Sequence, residues 1–175
     1  KIELMANNKI SIDMRDYIEE IIEMMPTKIN TISTSPANNH LFTVTEGAIK
    51  LEEDEADLFH SVVAKLLWVM KRGRPDLEVA ISFLCTRVKQ PTKEDWEKLI
   101  RVIKFLYKTK HDKRIIGIND ITTLLTYIDA SYAVHENMRC HTGGLITMSI
   151  GILHGKASKQ KINTKSSIES EIVGL

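Results

Sequence analysis

Polar and apolar positions along the chain repeat with two different periods. In residues 15–25 and in three segments between residues 54 and 110, apolar side chains recur every three or four positions, which predicts amphipathic helices. Between residues 121 and 157, apolar and polar side chains alternate, which predicts β-strands. Residues 1–14 alternate on both sides of an Asn-rich turn, which is typical of a hairpin. The sequence therefore predicts an α+β fold.

The three consecutive helical segments have recognisable ends and predict a shared core. Acidic residues open the first segment, and Gly73 is placed to end it. Pro75 begins the second segment, and Pro91 with Thr92 begins the third. Thr92 and Asp95 stand in near capping-box spacing. We expect the helices to pack through seven apolar side chains, which are Phe59, Val63, Leu67, Leu84, Trp96, Ile100 and Ile103.

Four cations lie on one side of the third helical segment and form a basic stripe. At about 100° per residue, one third of the helix circumference carries Lys98, Arg101, Lys104 and Lys108. Two interpretations stay open. The stripe is a track for the phosphates of a nucleic acid, or it is a solvated face whose cations suit the C-terminal end of the helix dipole. Taken alone, the pattern favours the solvated face.

Length, charge and cysteine content exclude several classes of protein. A chain of 175 residues is one domain of ordinary size or two small ones. With 24 Lys and Arg against 23 Asp and Glu, the net charge is +1, so a globally basic nucleic-acid binder is not indicated. Cys85 and Cys140 lie far apart, which argues against a disulfide framework or a zinc site and fits a reducing compartment. No membrane span, signal peptide or glycine-rich nucleotide motif is expected.

Two acidic residues are the candidates for chemistry. Asp129 comes late in an otherwise apolar strand, where a carboxylate is costly unless it is paired or binds a metal. Glu171 comes in the first turns of a helix that follows the strands, and such a helix can cross the sheet over Asp129. Two converging carboxylates suit Mg²⁺, which prefers hard oxygen ligands. The alternatives are an ordinary strand-end Asp129 and a first-turn Glu171 that complements the helix dipole.

Four segments in the second half of the chain resemble the ribonuclease H region of copia-type LTR retrotransposon Pol polyproteins. In chain order they are residues 126–132 with an Asp-Ala strand, the His-Thr-Gly-Gly turn at 141–144, the Ser-Lys-Gln-Lys run at 158–161, and Ser-Ser-Ile-Glu-Ser-Glu at 166–171. The family has a similar strand and turn, then a run such as SKKQ, then SSTEAE. The order of the four segments makes the resemblance specific.

Segments upstream resemble other parts of the same polyproteins. Residues 1–25 are similar to the end of the reverse-transcriptase palm, and residues 33–37 are similar to the STP connection. Residues 64–76 and 91–106 are similar to two helices of the thumb or connection. The detail around residues 57–60 and 134–138 is especially similar to elements of diatoms and other algae. The resemblance thus covers essentially the whole chain.

The resemblance implies three parts in the chain. Residues 1–50 are the end of the reverse-transcriptase palm and a connecting segment, and residues 51–115 are a helical thumb and connection. Residues 120–175 are the first half of a ribonuclease H domain, with an incomplete mixed sheet and a helix. The polymerase Tyr-x-Asp-Asp run is expected upstream of Lys1 and a third nuclease carboxylate beyond Leu175. The isolated chain is therefore expected to be inactive and poorly soluble.

The resemblance also implies roles for single residues. Asp129 and Glu171 are the catalytic carboxylates that hold Mg²⁺ in a two-ion site, and the basic stripe contacts nucleic acid. The expected partners are an RNA–DNA hybrid or template-primer and the rest of the polyprotein, without a membrane. The expected location is the cytoplasm, in a virus-like particle, or the nucleus. The alternative is a non-catalytic retroelement remnant that acts as a nucleic-acid or protein-binding module.

Overall fold

The helices and strands of the chain fall into two compact units. A computed structural model describes residues 1–118 and 120–175. Asp13–Asp112 form a helical unit, and Lys1–Ile12 together with Lys113–Leu175 form a second unit. The expected α+β fold is confirmed, because helices build the first unit and antiparallel sheets dominate the second. In the described part of the chain, no helix has the length and apolar character needed to cross a bilayer.

The helical unit contains four α-helices and a connecting segment. The helices are α1 (Arg15–Glu23), α2 (Glu53–Arg72), α3 (Glu78–Arg87) and α4 (Lys93–Thr109), with a 3-10 turn at Pro75–Leu77. The connecting segment, residues 24–52, places Ile29 and Leu41 in the same core as the helices. The structure therefore shows no boundary between units at residue 50, and the functional division proposed for that position stays a prediction.

The core of the helical unit uses the apolar faces of all four helices. Its large, fully buried side chains include Ile21, Phe59, Leu66, Leu84, Leu99 and Ile103. Trp96 and Ile100 pack against this core while partly exposed. The prediction for Leu67 is wrong, because Leu67 is 39% exposed. Leu66 and Met70 lie on the buried face of α2, and Leu67 is turned by about 100° from Leu66 toward solvent.

A buried carboxylate anchors the start of α4. Asp95 is 1% exposed, and its carboxylate accepts hydrogen bonds from the Thr92 N–H at 2.9 Å and the Thr92 hydroxyl at 3.0 Å. The Asp95 N–H donates to the Thr92 hydroxyl at 3.3 Å, which completes a capping box. Nε of Arg87 also donates to the carboxylate, at 3.1 Å. These donors offset the cost of burying the charge.

The second unit consists of two antiparallel sheets and one helix. The first sheet has the strand order β1-β2-β3-β6, and its strands are β1 (Ile2–Met5), β2 (Lys9–Ile12), β3 (Arg114–Ile118) and β6 (Ser149–Ile150). The second sheet has the order β4-β5-β7, and its strands are β4 (Leu125–Ser131), β5 (His141–Thr147) and β7 (Ile152–Lys159). Helix α5 (Ser167–Gly174) packs on β4 and β5. The predicted hairpin is confirmed, whereas residues 141–144, which were expected to form a turn, belong to strand β5.

The turns between these strands depend on unusual backbone angles. Asn7 and Asn8 connect β1 to β2 with φ of 59° and 56°, in the left-handed region that Asn tolerates. Gly151 lies between β6 and β7 with φ of 72°, and a Cβ there would collide with the carbonyl oxygen of Ile115. Strand β6 pairs with β3 in the first sheet. The alternation of residues 145–150 favours one strand, but the structure divides these residues between β5 and β6, which belong to different sheets.

Two histidines close the loop between β4 and β5. His135 and His141 are both buried, and Nε2 of His135 lies 3.0 Å from Nδ1 of His141. Sγ of Cys140 accepts the N–H of Ala133 at 3.3 Å and lies 3.1 Å from the Thr164 hydroxyl. Burial, together with smaller contributions from the neighbouring His141 and Lys159, lowers the pKa of His135 from its usual 6.5 to about 4. Burial also lowers the pKa of His141.

Replacement of Asp95 by Ala is expected to destabilise the chain by about 2–4 kcal/mol, because Arg87 and Thr92 lose their common acceptor. Urea unfolding followed by circular dichroism measures the loss. Glu97→Ala, on the exposed side of α4, is the matched control and should change the free energy of unfolding by less than about 0.5 kcal/mol. Equal stabilities of the two variants would contradict the anchoring role of Asp95.

The buried pair of His135 and His141 is expected to make the stability of the chain depend on pH. Because the folded-state pKa of His135 is lowered to about 4, the unfolded chain binds a proton first as the pH falls below 6.5. Stability should therefore fall from pH 6.5 to about pH 4, with no further loss from this group at lower pH. Unfolding curves across this range should show a smaller decline for His135→Gln, while His154→Gln, exposed on β7, should follow the wild type. The same decline in both variants would refute this assignment.

Candidate functional site

Asp129 lies near the end of β4 with open space beside it. Its side chain is exposed, and the strand register places it opposite Gly143 of β5, which lies opposite Ala157 of β7. A Cβ on Gly143 would meet no atom within 4 Å, so nothing crowds the surface next to the carboxylate. A hydrated Mg²⁺ ion needs such space beside its protein ligands.

Helix α5 covers the face of the sheet opposite to Asp129. The pleat of β4 puts Ile128 and Asp129 on different faces. Gly174 of α5 lies on the Ile128 face, because a Cβ on Gly174 would be 3.1 Å from Cγ2 of Thr142 and 3.4 Å from Cγ2 of Ile128. The missing side chain of Gly174 thus allows the helix to lie close to the sheet.

Two acids near the start of α5, Glu169 and Glu171, differ in their contacts. The Ser166 hydroxyl accepts the N–H of Glu169 at 3.2 Å, and the Glu169 carboxylate accepts the N–H of Lys165 at 2.6 Å. Glu169 is therefore used in capping the helix. Ser170 is fully buried, and Glu171, which follows it, is exposed.

The structure places the two predicted carboxylates on elements in contact, α5 and β4, but not on one face of the sheet. Among the described residues, no group of three or more His, Cys, Asp or Glu side chains is arranged to hold a metal ion. Two carboxylates are fewer ligands than a two-ion Mg²⁺ site requires. The catalytic and metal-binding roles of Asp129 and Glu171 therefore stay predictions.

Gln160, which no sequence pattern singles out, ties α5 to the sheet. It is 6% exposed, and its Nε2 donates to the Thr142 hydroxyl and to the Ser170 carbonyl, both at 2.8 Å. Because a carbonyl only accepts, the contact with Ser170 fixes the orientation of the Gln160 amide. Its Oε1 is buried without a hydrogen-bond partner in the described part of the chain. The only sequence signal is an amide within a run of cations, which is usually solvated.

Two cations of the basic stripe hold the connecting segment of the helical unit. Nζ of Lys98 donates to the Thr43 carbonyl at 2.6 Å and lies 3.9 Å from the Asp95 carboxylate. Nη2 of Arg101 donates to the Ser35 hydroxyl at 3.1 Å. Burial lowers the pKa of Lys98, and the nearby carboxylates offset this only in part. These two cations have a structural role that the helical periodicity alone did not reveal.

The other two cations of the stripe are more accessible. The Lys104 side chain is partly exposed, and its backbone carbonyl accepts the N–H of Ser33 at 3.4 Å. Lys108 is exposed in the last turn of α4, where the helix dipole favours a positive charge. If the stripe contacts phosphates, Lys104 and Lys108 are the side chains available for it.

Three curated proteins show what this chain is similar to. It is 26% identical over 173 residues to the retrovirus-related Pol polyprotein from transposon TNT 1-94 of Nicotiana tabacum, which covers 96% of the chain and 13% of that polyprotein. It is 27% identical over 150 residues to the putative transposon Ty5-1 protein of Saccharomyces cerevisiae, with coverage of 83% and 47%. It is 28% identical over 118 residues to an uncharacterized mitochondrial protein of Arabidopsis thaliana, with coverage of 67% and 49%.

The matches cover most of this chain but less than half of each relative. No family model and no solved structure matches the chain. The chain spans 13% and 47% of the lengths of the tobacco and yeast relatives, so the activities of whole proteins do not transfer to it directly. The tobacco match nevertheless runs over nearly the whole chain. The similarity to retrotransposon proteins supports a retrotransposon-derived protein.

Proposed function

We propose that the chain is a segment of a copia-type Pol polyprotein that joins a reverse transcriptase to a ribonuclease H. Residues 1–50 end the palm, residues 51–115 form the thumb and connection, and residues 120–175 begin the nuclease. The whole protein copies RNA into DNA and hydrolyses the RNA strand of RNA–DNA hybrids. It works in a cytoplasmic virus-like particle together with the rest of the polyprotein.

One observation carries this proposal: the similarity to a retrotransposon Pol polyprotein extends over 96% of the chain. The order of elements in the second unit matches the nuclease assignment, although α5 packs on the face of the sheet opposite to Asp129. Three antiparallel strands are followed by a helix that packs on the first two, with Asp129 on the first strand and Glu171 on the helix. A metal-dependent nuclease needs carboxylates on rigid elements, and both residues meet that need.

In this proposal, Asp129 and Glu171 hold Mg²⁺ together with further carboxylates of the whole protein. When bound, two metal ions supply a water that is nucleophilic at neutral pH and stabilise the leaving oxygen. The chain itself positions the carboxylates, Asp129 through the pairing of β4 with β5 and Glu171 through the close packing of α5. The RNA strand is selected by its 2′-hydroxyls and by the shape of the hybrid.

Metal binding to the chain tests the assignment of the carboxylates. Mn²⁺ takes the same oxygen ligands as Mg²⁺ and broadens nearby NMR signals. We expect selective broadening around Asp129 and Glu171, lost in Asp129→Asn and in Glu171→Gln. Glu169→Gln, two residues away on α5, is the matched control and should keep the broadening, since its carbonyl oxygen still accepts the Lys165 N–H. Broadening that is unchanged in Asp129→Asn would overturn the assignment.

Hybrid cleavage tests the activity itself. In the longer polyprotein that this proposal implies, Asp129→Asn is expected to reduce Mg²⁺-dependent cleavage of a labelled RNA–DNA hybrid to background, because the metal loses a carboxylate ligand. Glu169→Gln should cleave like the wild type. Full activity of Asp129→Asn would show that this residue is not catalytic.

Salt dependence tests the nucleic-acid contact of the basic stripe. The double variant Lys104→Gln/Lys108→Gln should bind a hybrid more weakly, and the slope of log affinity against log salt should fall by about one per lost phosphate contact. Fluorescence anisotropy measures both quantities. Lys89→Gln, exposed in the same unit, is the control. A salt slope equal to that of the wild type would favour the solvated-face interpretation.

A further inference from the structure

Helix α2 carries an exposed stripe on the side opposite to its buried face. At about 100° per residue, seven exposed residues fall within about one third of the helix circumference. They form the α2 stripe, which consists of Asp57, His60, Ser61, Ala64, Leu67, Trp68 and Lys71. The middle of the stripe is apolar, whereas the outward face of a surface helix is usually polar. This face of α2 therefore has the composition of a contact surface.

Trp68 is the largest apolar side chain of the α2 stripe and is held in place from within the chain. It is 50% exposed, and the guanidinium of Arg72, one turn further along α2, lies 4.5 Å from the centre of its ring. This cation–π contact restricts the orientation of the indole. Tryptophan side chains that are already oriented lose little entropy on binding and often dominate the energy of an interface. Trp68 is therefore suited to anchor another molecule.

The two ends of α2 have opposite charges. Acidic residues occupy the first turn and basic residues the last turn; the acids are Glu53, Asp54 and Glu55, and the cations are Lys71 and Arg72. This distribution suits the helix dipole. It also makes α2 complementary to a second copy of itself that runs in the opposite direction, because each acidic end then lies against a basic end. A parallel pair would bring like charges together.

We propose that the α2 stripe is the interface between two copies of this chain, which pack α2 against α2 in antiparallel orientation around a two-fold axis at Ala64. The small side chain of Ala64 allows the helices to approach at the axis. Asp57 and Lys71 lie equally far along the helix from Ala64, so Asp57 of one copy faces Lys71 of the other. In the same way Ser61 faces Leu67. The stripe is thus self-complementary in charge and size, as a two-fold interface requires.

The proposed contact adds to bonds that its residues already make. Lys71 donates to Glu78 of its own copy at 2.6 Å, and because an ammonium group has three hydrogens it can also donate to Asp57 of the second copy. A single pair of helices gives a small interface, so we expect the dimer to dissociate in the micromolar range. The inference goes beyond the proposed nuclease and does not need its carboxylates. Asp129→Asn should therefore dimerise like the wild type.

Analytical ultracentrifugation of the full chain over the micromolar range tests the dimer. The average mass should rise with concentration toward that of two chains. Ala64→Glu should weaken dimerisation at least about tenfold, because it places like charges together at the axis. Trp68→Ala should weaken it by a similar factor through loss of the anchor. Gln90→Glu, which adds the same charge at an exposed position outside the stripe, is the matched control and should dimerise like the wild type. Circular dichroism should show that all three variants keep the wild-type helix content.

Disulfide cross-linking tests the orientation of the two helices. Under mild oxidation, Ala64→Cys should link two copies, since the two-fold axis places this position beside its own counterpart. Asp57→Cys should cross-link when mixed with Lys71→Cys and should not cross-link alone. The wild-type chain, which has the same native cysteines, measures the background.

Four results would overturn the proposal. They are a chain that stays monomeric at every concentration, a dimer that neither Ala64→Glu nor Trp68→Ala weakens, cross-linking of Asp57→Cys with itself, and a monomeric chain that binds single-stranded RNA through Trp68. The last result would assign the α2 stripe to a nucleic acid instead of a second copy.

Discussion

The close contact between α5 and the three-stranded sheet is the constraint on which the packing of the second unit depends. Ser170 is fully buried, and a Cβ on Gly174 would lie 3.1 Å from Cγ2 of Thr142. Gln160 then bonds both to Thr142 and to Ser170. Because small residues of α5 face the sheet, the helix lies close to β4 and β5. A larger side chain at position 174 would collide with Thr142 and Ile128 and lift the helix from the sheet.

Local patterns predicted the elements whose structure is decided locally. The helices follow from apolar periodicity and from end signals such as Thr92 with Asp95, and the first hairpin follows from its asparagines. Strand β3 was not predicted, because it pairs with β2 from a distance of about a hundred residues in sequence and its alternation is short. Leu67 was assigned to the core wrongly, since helical periodicity identifies the apolar face of a helix but not where the buried part of that face ends.

The sequence predicted which strand and helix carry the candidate site residues, but it did not predict which face of the sheet the helix covers. Alternation along β4 requires Asp129 and Ile128 to face opposite ways, but it does not say which face a helix covers. The contacts of Gly174 decide that question, and they depend on tertiary packing. The same limit applies to the basic stripe. Helical periodicity gave its side of α4 correctly, whereas the bonds of Lys98 to Thr43 and of Arg101 to Ser35 depend on where the connecting segment lies.

The acids of this chain differ in what they do for the fold. Asp95 is buried, receives donors from Thr92 and Arg87, and has an evident structural role. Asp129 has no hydrogen-bond or ion-pair partner in the described part of the chain, although aspartate is disfavoured in strands. Gly143 keeps the space beside it open. The fold therefore gives Asp129 no structural role like that of Asp95, and the metal-binding role proposed for it stays a proposal.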